Sequence, residues 1–121
     1  MGTREIEEAI SAHAAVAEVV VVGVADALKG QVAVAFVVPR AGVGDEVAAL
    51  KLEGEVMKTV ADSLGALARP ARVHSVAALP KTRSGKLLRR ALQAVCERRD
   101  PGDLTTIDDP ASLQAIQRLI G

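Results

Sequence analysis

Three observations predict an α+β domain: a small sheet of about three strands with helices on both faces, in the order α-β-β-α-β-α-α. Two β-branched runs, "AEVVVVGVAD" at 17–26 and "QVAVAFVVP" at 31–39, are joined only by "ALKG", which predicts an antiparallel pair. Both runs are apolar on both faces, so the sheet should be covered on both sides. The rest of the chain alternates helical periodicity with one further short strand pattern, the signature of helices packed on a sheet.

The elements follow in order. In "TREIEEAI", Thr3 is a candidate N-cap, and Glu5, Glu7 and Glu8 suit the positive end of a helix. Ile6, Ala9, Ile10 and His13 fall at helical spacing and form its buried stripe. After the two strands, "RAGVGDE" reads as a loop with Asp45 as a cap. A long amphipathic helix over 46–64 is predicted to bury Val47, Leu50, Met57, Val60, Ala61 and Leu64, with Gly65 closing it. "ARVHSVA" at 71–77 is the third strand, and Pro80 and Gly85 bracket a loop. A helix over 86–98 has Leu88, Ala91, Leu92 and Val95 on its apolar side. "DPGD" is a turn, and Asp109 followed by Pro110 starts the last helix, which buries Leu113, Ile116 and Ile120.

At 121 residues the chain reads as one domain, 1–121, large enough for a core without disulfides. It has one Phe, no Tyr and no Trp, so no aromatic platform exists for stacking on single-stranded bases. The lone Cys96 excludes an internal disulfide and fits a reducing compartment. No signal peptide or membrane-spanning run is visible, and a cytoplasmic location is expected. His13 and His74 lack partners at ligand spacing and read as structural, so no metal site is expected. Cys96 reads as packing, and the Asp108–Asp109 pair as a cap.

Fifteen basic and fifteen acidic residues balance, but they are not evenly spread. Residues 66–99 hold nine bases and one acid, Glu97, and five of the bases fall in "LPKTRSGKLLRR" at 79–90. With Ser84 as N-cap, Gly85 and Lys86 would lie in the first turn of the following helix, where a cation is disfavoured. Lys86, Arg89, Arg90 and Gln93 would then share one face. A helix start with a lysine reaching past it is suited to an anion; a solvated basic face is the plain alternative. A P-loop is excluded, because the upstream glycine is missing and Leu87 follows the lysine. A free-standing anion- or nucleic-acid-binding module using loop 79–90 is the alternative function, although the domain is not basic overall. A nucleotide phosphate is the remaining anion.

"LPKTRSGKLLRR" resembles the C-terminal lysine motif of the acyl-adenylate-forming superfamily, particularly the acetyl- and propionyl-CoA synthetases. "GTREIEEAI" and "VAEVVVVGVADALKGQVAVAFVV" are also similar to that family, and "CERRDPGDLTTIDDPASLQ" is most similar to the propionyl-CoA synthetases. The resemblance covers nearly the whole chain. It implies the mobile C-terminal lid of an AMP-forming acyl-CoA synthetase, beginning after the hinge. The N-terminal domain of the same enzyme, which binds ATP and the acid, would be its partner.

In the family, ATP with Mg2+ and CoA are substrates of the full-length enzyme, and no cofactor is expected on this domain alone. The resemblance implies that Lys86 is the catalytic lysine of acyl-AMP formation, with Ser84 and Gly85 shaping its loop. Arg83, Arg89 and Arg90 would set the local field or meet the partner domain. It also implies that Lys86 is a target of a protein lysine acetyltransferase, reversed by a sirtuin-type deacylase. No nucleic acid or membrane partner is implied, and the isolated domain is expected to be inactive. One departure stands out. Where related enzymes carry an arginine for the CoA phosphate, this sequence has Ala61, with Lys58 one turn earlier, so the CoA contacts stay unassigned.

Overall fold

The computed structural model describes residues 2–120; Met1 and Gly121, the ends of the predicted domain, lie outside the described residues. The elements are α1 (Thr3–Ser11), β1 (Val16–Asp26), β2 (Gly30–Pro39), α2 (Glu46–Leu64), a short 3-10 turn (Ala66–Ala68), β3 (Arg72–Ser75), α3 (Arg89–Cys96) and α4 (Pro110–Ile120). Class and order are those predicted. The chain divides into two compact units, Met1–Ala77 and Ala78–Gly121.

In the first unit β1 and β2 pair antiparallel, from Val19↔Val37 down to Asp26↔Gly30. Asp26 closes the connection: its Oδ2 accepts from the Leu28 and Lys29 amides at 3.1 and 2.8 Å. β3 adds to β2 in parallel, giving the order β1-β2-β3. A parallel neighbour needs a crossover connection, and α2 supplies it. The core joins Val21, Ala35, Val37 and Val73 of the sheet to Ile6 and Ile10 of α1 and Leu52, Val56 and Val60 of α2. Strand period two sends Val20, Val22 and Phe36 to the other side, where they too are buried. Phe36 stacks on its cross-strand neighbour His74, with ring centroids 5.4 Å apart.

Asp45 caps α2, accepting from the Ala48 amide at 2.8 Å. Gly65 ends it at φ +97°, donating to the Ala61 carbonyl, a backbone state that costs glycine nothing. The buried stripe differs from the predicted one. Leu52, Val56 and Val60 face the sheet, whereas Val47 and Leu50 are 74% and 61% exposed. Leu50 and Leu52 lie about 200° apart around the axis, so burying one turns the other outward. At α1 the N-cap position is Gly2 and Thr3 is the first helical residue, with no side-chain cap bond. Glu5 still stands in the positive first turn.

Both histidines of this unit are structural. The Ala15 amide donates to Nδ1 of His13, so the neutral ring carries its proton on Nε2, which faces Glu55 Oε1 at 3.0 Å. That bond ties the end of α1 to α2. Burial holds the His74 pKa below its usual value; nearby Glu53 partly opposes this and Arg72 reinforces it.

In the second unit α3 and α4 pack on each other, and Leu92, Val95, Ile107, Leu113 and Ile116 are buried. α3 starts at Arg89 rather than at the predicted 86, and its N-cap position is Leu88, not Ser84. It ends in a Schellman arrangement: the Arg98 amide donates to Val95 and the Arg99 amide to Ala94, at 3.0 and 2.8 Å. Arg98 takes the left-handed position at φ 58°, where glycine is usual. Asp109 Oδ1 accepts from the Ala111 amide at 3.1 Å at the start of α4, in keeping with a cap.

Candidate functional site: a lysine on a hairpin tip

The segment 81–87 is a tight hairpin. Lys81 and Leu87 form an antiparallel bridge, and Thr82 bridges Ile107 on the other side. The Thr82 amide donates to the Lys86 carbonyl at 2.8 Å, and the Gly85 amide donates to the Thr82 carbonyl at 2.8 Å. Gly85 has φ +89°. This is the pattern of a three-residue hairpin loop whose last residue is left-handed, and the left-handed state is why a glycine stands there. The Thr82 hydroxyl adds two bonds: it accepts from the Lys86 amide at 3.1 Å and meets the Ser84 hydroxyl at 2.9 Å.

Lys86 therefore lies on the returning arm of a hairpin, not in the first turn of a helix. A positive φ at Gly85 cannot continue into α-helix, and the strand pairing to 106–108 occupies the backbone instead. The Arg83 amide donates to Thr106 at 3.2 Å and the Asp108 amide to Lys81 at 2.9 Å. The face predicted for Lys86, Arg89, Arg90 and Gln93 on one helix does not form. Arg89 and Arg90 occupy the first turn of α3 themselves. Even so, Lys86, Arg89 and Arg90 line a common cleft of about 500 Å³, with Asp103 and Leu104 also on its wall. Lys86 also borders a second hollow of about 330 Å³ with Thr82, Arg83, Ser84 and Thr106.

Arg83, Ser84, Gly85 and Lys86 are all exposed. The backbone of the tip is fixed, while the ammonium sits on a four-carbon stem open to solvent. Chemically this is a compact, solvent-exposed cation able to pair with an anionic group. Sequence reasoning missed Thr82 and the 103–106 segment beside it. The first carried a signal: T-R-S-G matches the turn preference for a hydroxyl residue at the first position and glycine at the fourth.

The other singled-out residues lie elsewhere. Lys58, on α2, is paired with Asp62 at 2.7 Å, which raises its pKa first through the hydrogen bond and then through charge. Ala61 is half-buried on the same helix. Burial, helped by Glu97, pushes the Cys96 thiol up to about 11, so it is almost wholly protonated at neutral pH and unsuited to nucleophilic attack. Among the described residues no group of three or more His, Cys, Asp or Glu is placed to hold a metal ion, and no helix is long and apolar enough to cross a membrane.

The model of the AMP-binding enzyme C-terminal domain matches residues 5–86, and the chain belongs to that family. It is 61% identical to the propionate–CoA ligase of Salmonella typhimurium, over 99% of this chain and 19% of the relative. It is 45% identical to the acetyl-coenzyme A synthetase of Pyrobaculum arsenaticum, over 98% of this chain and 17% of the relative. Among solved structures, the acyl-CoA synthetase of Brucella canis matches with a TM-score of 0.59 and 36% identity, over 72% of this chain and 16% of that one. The chain thus spans about a fifth of the length of the curated relatives it matches.

Proposed function

We propose that this chain is the mobile C-terminal domain of an AMP-forming acyl-CoA synthetase acting on propionate, and that Lys86 is its adenylation lysine. The observation that carries the reading is an exposed lysine on a rigid hairpin tip, in a chain 61% identical to a propionate–CoA ligase. In the first half-reaction a carboxylate oxygen attacks the α-phosphorus of ATP, and the bond to pyrophosphate breaks. The Lys86 ammonium lies between carboxylate and α-phosphate and offsets the negative charge that builds there. In the second, the CoA thiolate attacks the acyl carbonyl and AMP leaves.

The tip needs to be close to the phosphates only for the first step, which suits a lysine delivered by a domain that closes and then turns away. ATP and the acid would be held by the N-terminal domain. Mg2+ would enter with the nucleotide. The domain alone is expected to be inactive.

Acetylation of Lys86 would remove the charge and with it the chemistry. Its exposure on a hairpin tip suits recognition by a lysine acetyltransferase and reversal by a sirtuin-type deacylase. Incubating the chain with an acetyltransferase and acetyl-CoA, followed by mass spectrometry, should find the label on Lys86.

The test of the main reading is acid-dependent ATP–pyrophosphate exchange by the full-length protein. Propionate should drive exchange with the highest kcat/KM in a panel with acetate and 3-hydroxypropionate. No exchange with any carboxylate would reject the reading.

A further inference from the structure

We propose that Thr82 is the positioning residue for Lys86: it fixes the backbone on both sides of the lysine and so sets the direction in which the side chain leaves the tip. The inference rests on the reading of Lys86 as the adenylation lysine and adds a residue to it. The Lys86 amide donates to Thr82 Oγ1 at 3.1 Å, and the Lys86 carbonyl accepts from the Thr82 amide at 2.8 Å. Both polar backbone groups of the lysine thus end on one residue. The carbonyl of Thr82 takes the Gly85 amide at 2.8 Å, and its hydroxyl meets that of Ser84 at 2.9 Å. No burial of the lysine side chain contributes, because Lys86 is exposed; the direction of its Cα–Cβ bond comes from the backbone alone.

Thr82 is suited to the task. It is half-buried and bridges Ile107, which is itself buried, so it links the exposed tip to a fixed anchor. β-branching restricts χ1 and keeps Oγ1 aimed. The reacting groups of an adenylation must meet in a narrow geometry, and small misplacements cost rate rather than binding. A hydroxyl that never touches substrate would then appear in kcat.

The experiment uses the full-length ligase with Thr82→Val, Thr82→Ser and Lys86→Ala. The readouts are ATP–pyrophosphate exchange, thioester formation from preformed propionyl-AMP, and the thermal midpoint. Thr82→Val should lower kcat of exchange about tenfold, the scale of one hydrogen bond lost from a preorganised contact. KM for propionate and ATP, the rate from propionyl-AMP and the midpoint should stay at wild-type values. Thr82→Ser, which restores the hydroxyl, should recover most of the loss. If Thr82→Val does not fold, Thr82→Ala against Thr82→Ser is read in the same way.

Wild-type exchange in Thr82→Val alongside its loss in Lys86→Ala would overturn the role of Thr82 and leave that of Lys86 standing. Loss of both half-reactions together with a lowered midpoint would make Thr82 merely structural, which also overturns the proposal. Wild-type exchange in Lys86→Ala would overturn both assignments.

Discussion

The sheet of the first unit and the hairpin tip of the second are held by different forces. In the sheet, Val20, Val21, Ala35, Phe36 and Val37 are all but inaccessible, and stability comes from apolar burial, on the order of 1.5–3 kcal/mol for each large side chain. In the tip the side chains of 83–86 are exposed, and shape comes from four hydrogen bonds that converge on Thr82. One region is insensitive to the detail of any single polar group and sensitive to volume. The other is the reverse. On the proposed reading, in which the tip delivers one cation, the shape of the tip is then set independently of the volume packed in the sheet.

Substitutions can break that division from either side. Ile10→Ala, at a fully buried position against α2 and the sheet, should cost about 2–5 kcal/mol, read as a lower urea midpoint. Gly85→Ala should cost about 1–2 kcal/mol for the left-handed backbone alone, because a Cβ there meets nothing within 4 Å. Most of its effect should show as faster amide exchange at Gly85 and Lys86, not across the sheet. Equal loss of protection in β1 would erase the contrast.

His74 sharpens it through pH. Its folded pKa is lowered, chiefly by burial, so the unfolded chain takes up the proton first as pH falls through about 6.5. The stability it contributes is present above that pH and is lost below it, down to the folded pKa. His74→Gln should therefore show a shallower fall in thermal midpoint between neutral and mildly acidic pH than wild type. The smallest effect is expected at Arg98. Its left-handed conformation at φ 58° is relieved by Arg98→Gly, against the added chain entropy of glycine, for a net gain of under about 1 kcal/mol in the urea midpoint.

How far the sequence foretold this depends on how local each signal is. The β-branched runs 17–26 and 31–39 and the cap at Asp45 are readable because strand patterning and a capping bond involve near neighbours. The stripe on α2 differs from the predicted one, with Leu52 and Val56 buried in place of Val47 and Leu50, because apolar residues lie around much of the helix and only the sheet decides between faces. At Ser84 a good capping residue precedes an amphipathic run, yet the backbone of 81–83 pairs with 106–108 instead. That partner lies more than twenty residues away, beyond any local rule. Lys86 stands out in its motif and T-R-S-G carries the turn signal of the hairpin tip; the pairing of that hairpin to 106–108 has no local signal.

The most direct test of the account measures stability and chemistry on one variant. On the proposed reading, Lys86→Ala in the full-length protein should keep the wild-type urea midpoint and the rate of thioester formation from propionyl-AMP. Its propionate-dependent ATP–pyrophosphate exchange should fall by about 10²- to 10³-fold. Exchange at the wild-type rate, or a fall in midpoint that takes both half-reactions with it, would contradict the assignment of Lys86 as an exposed catalytic cation on a tip that contributes nothing to the core.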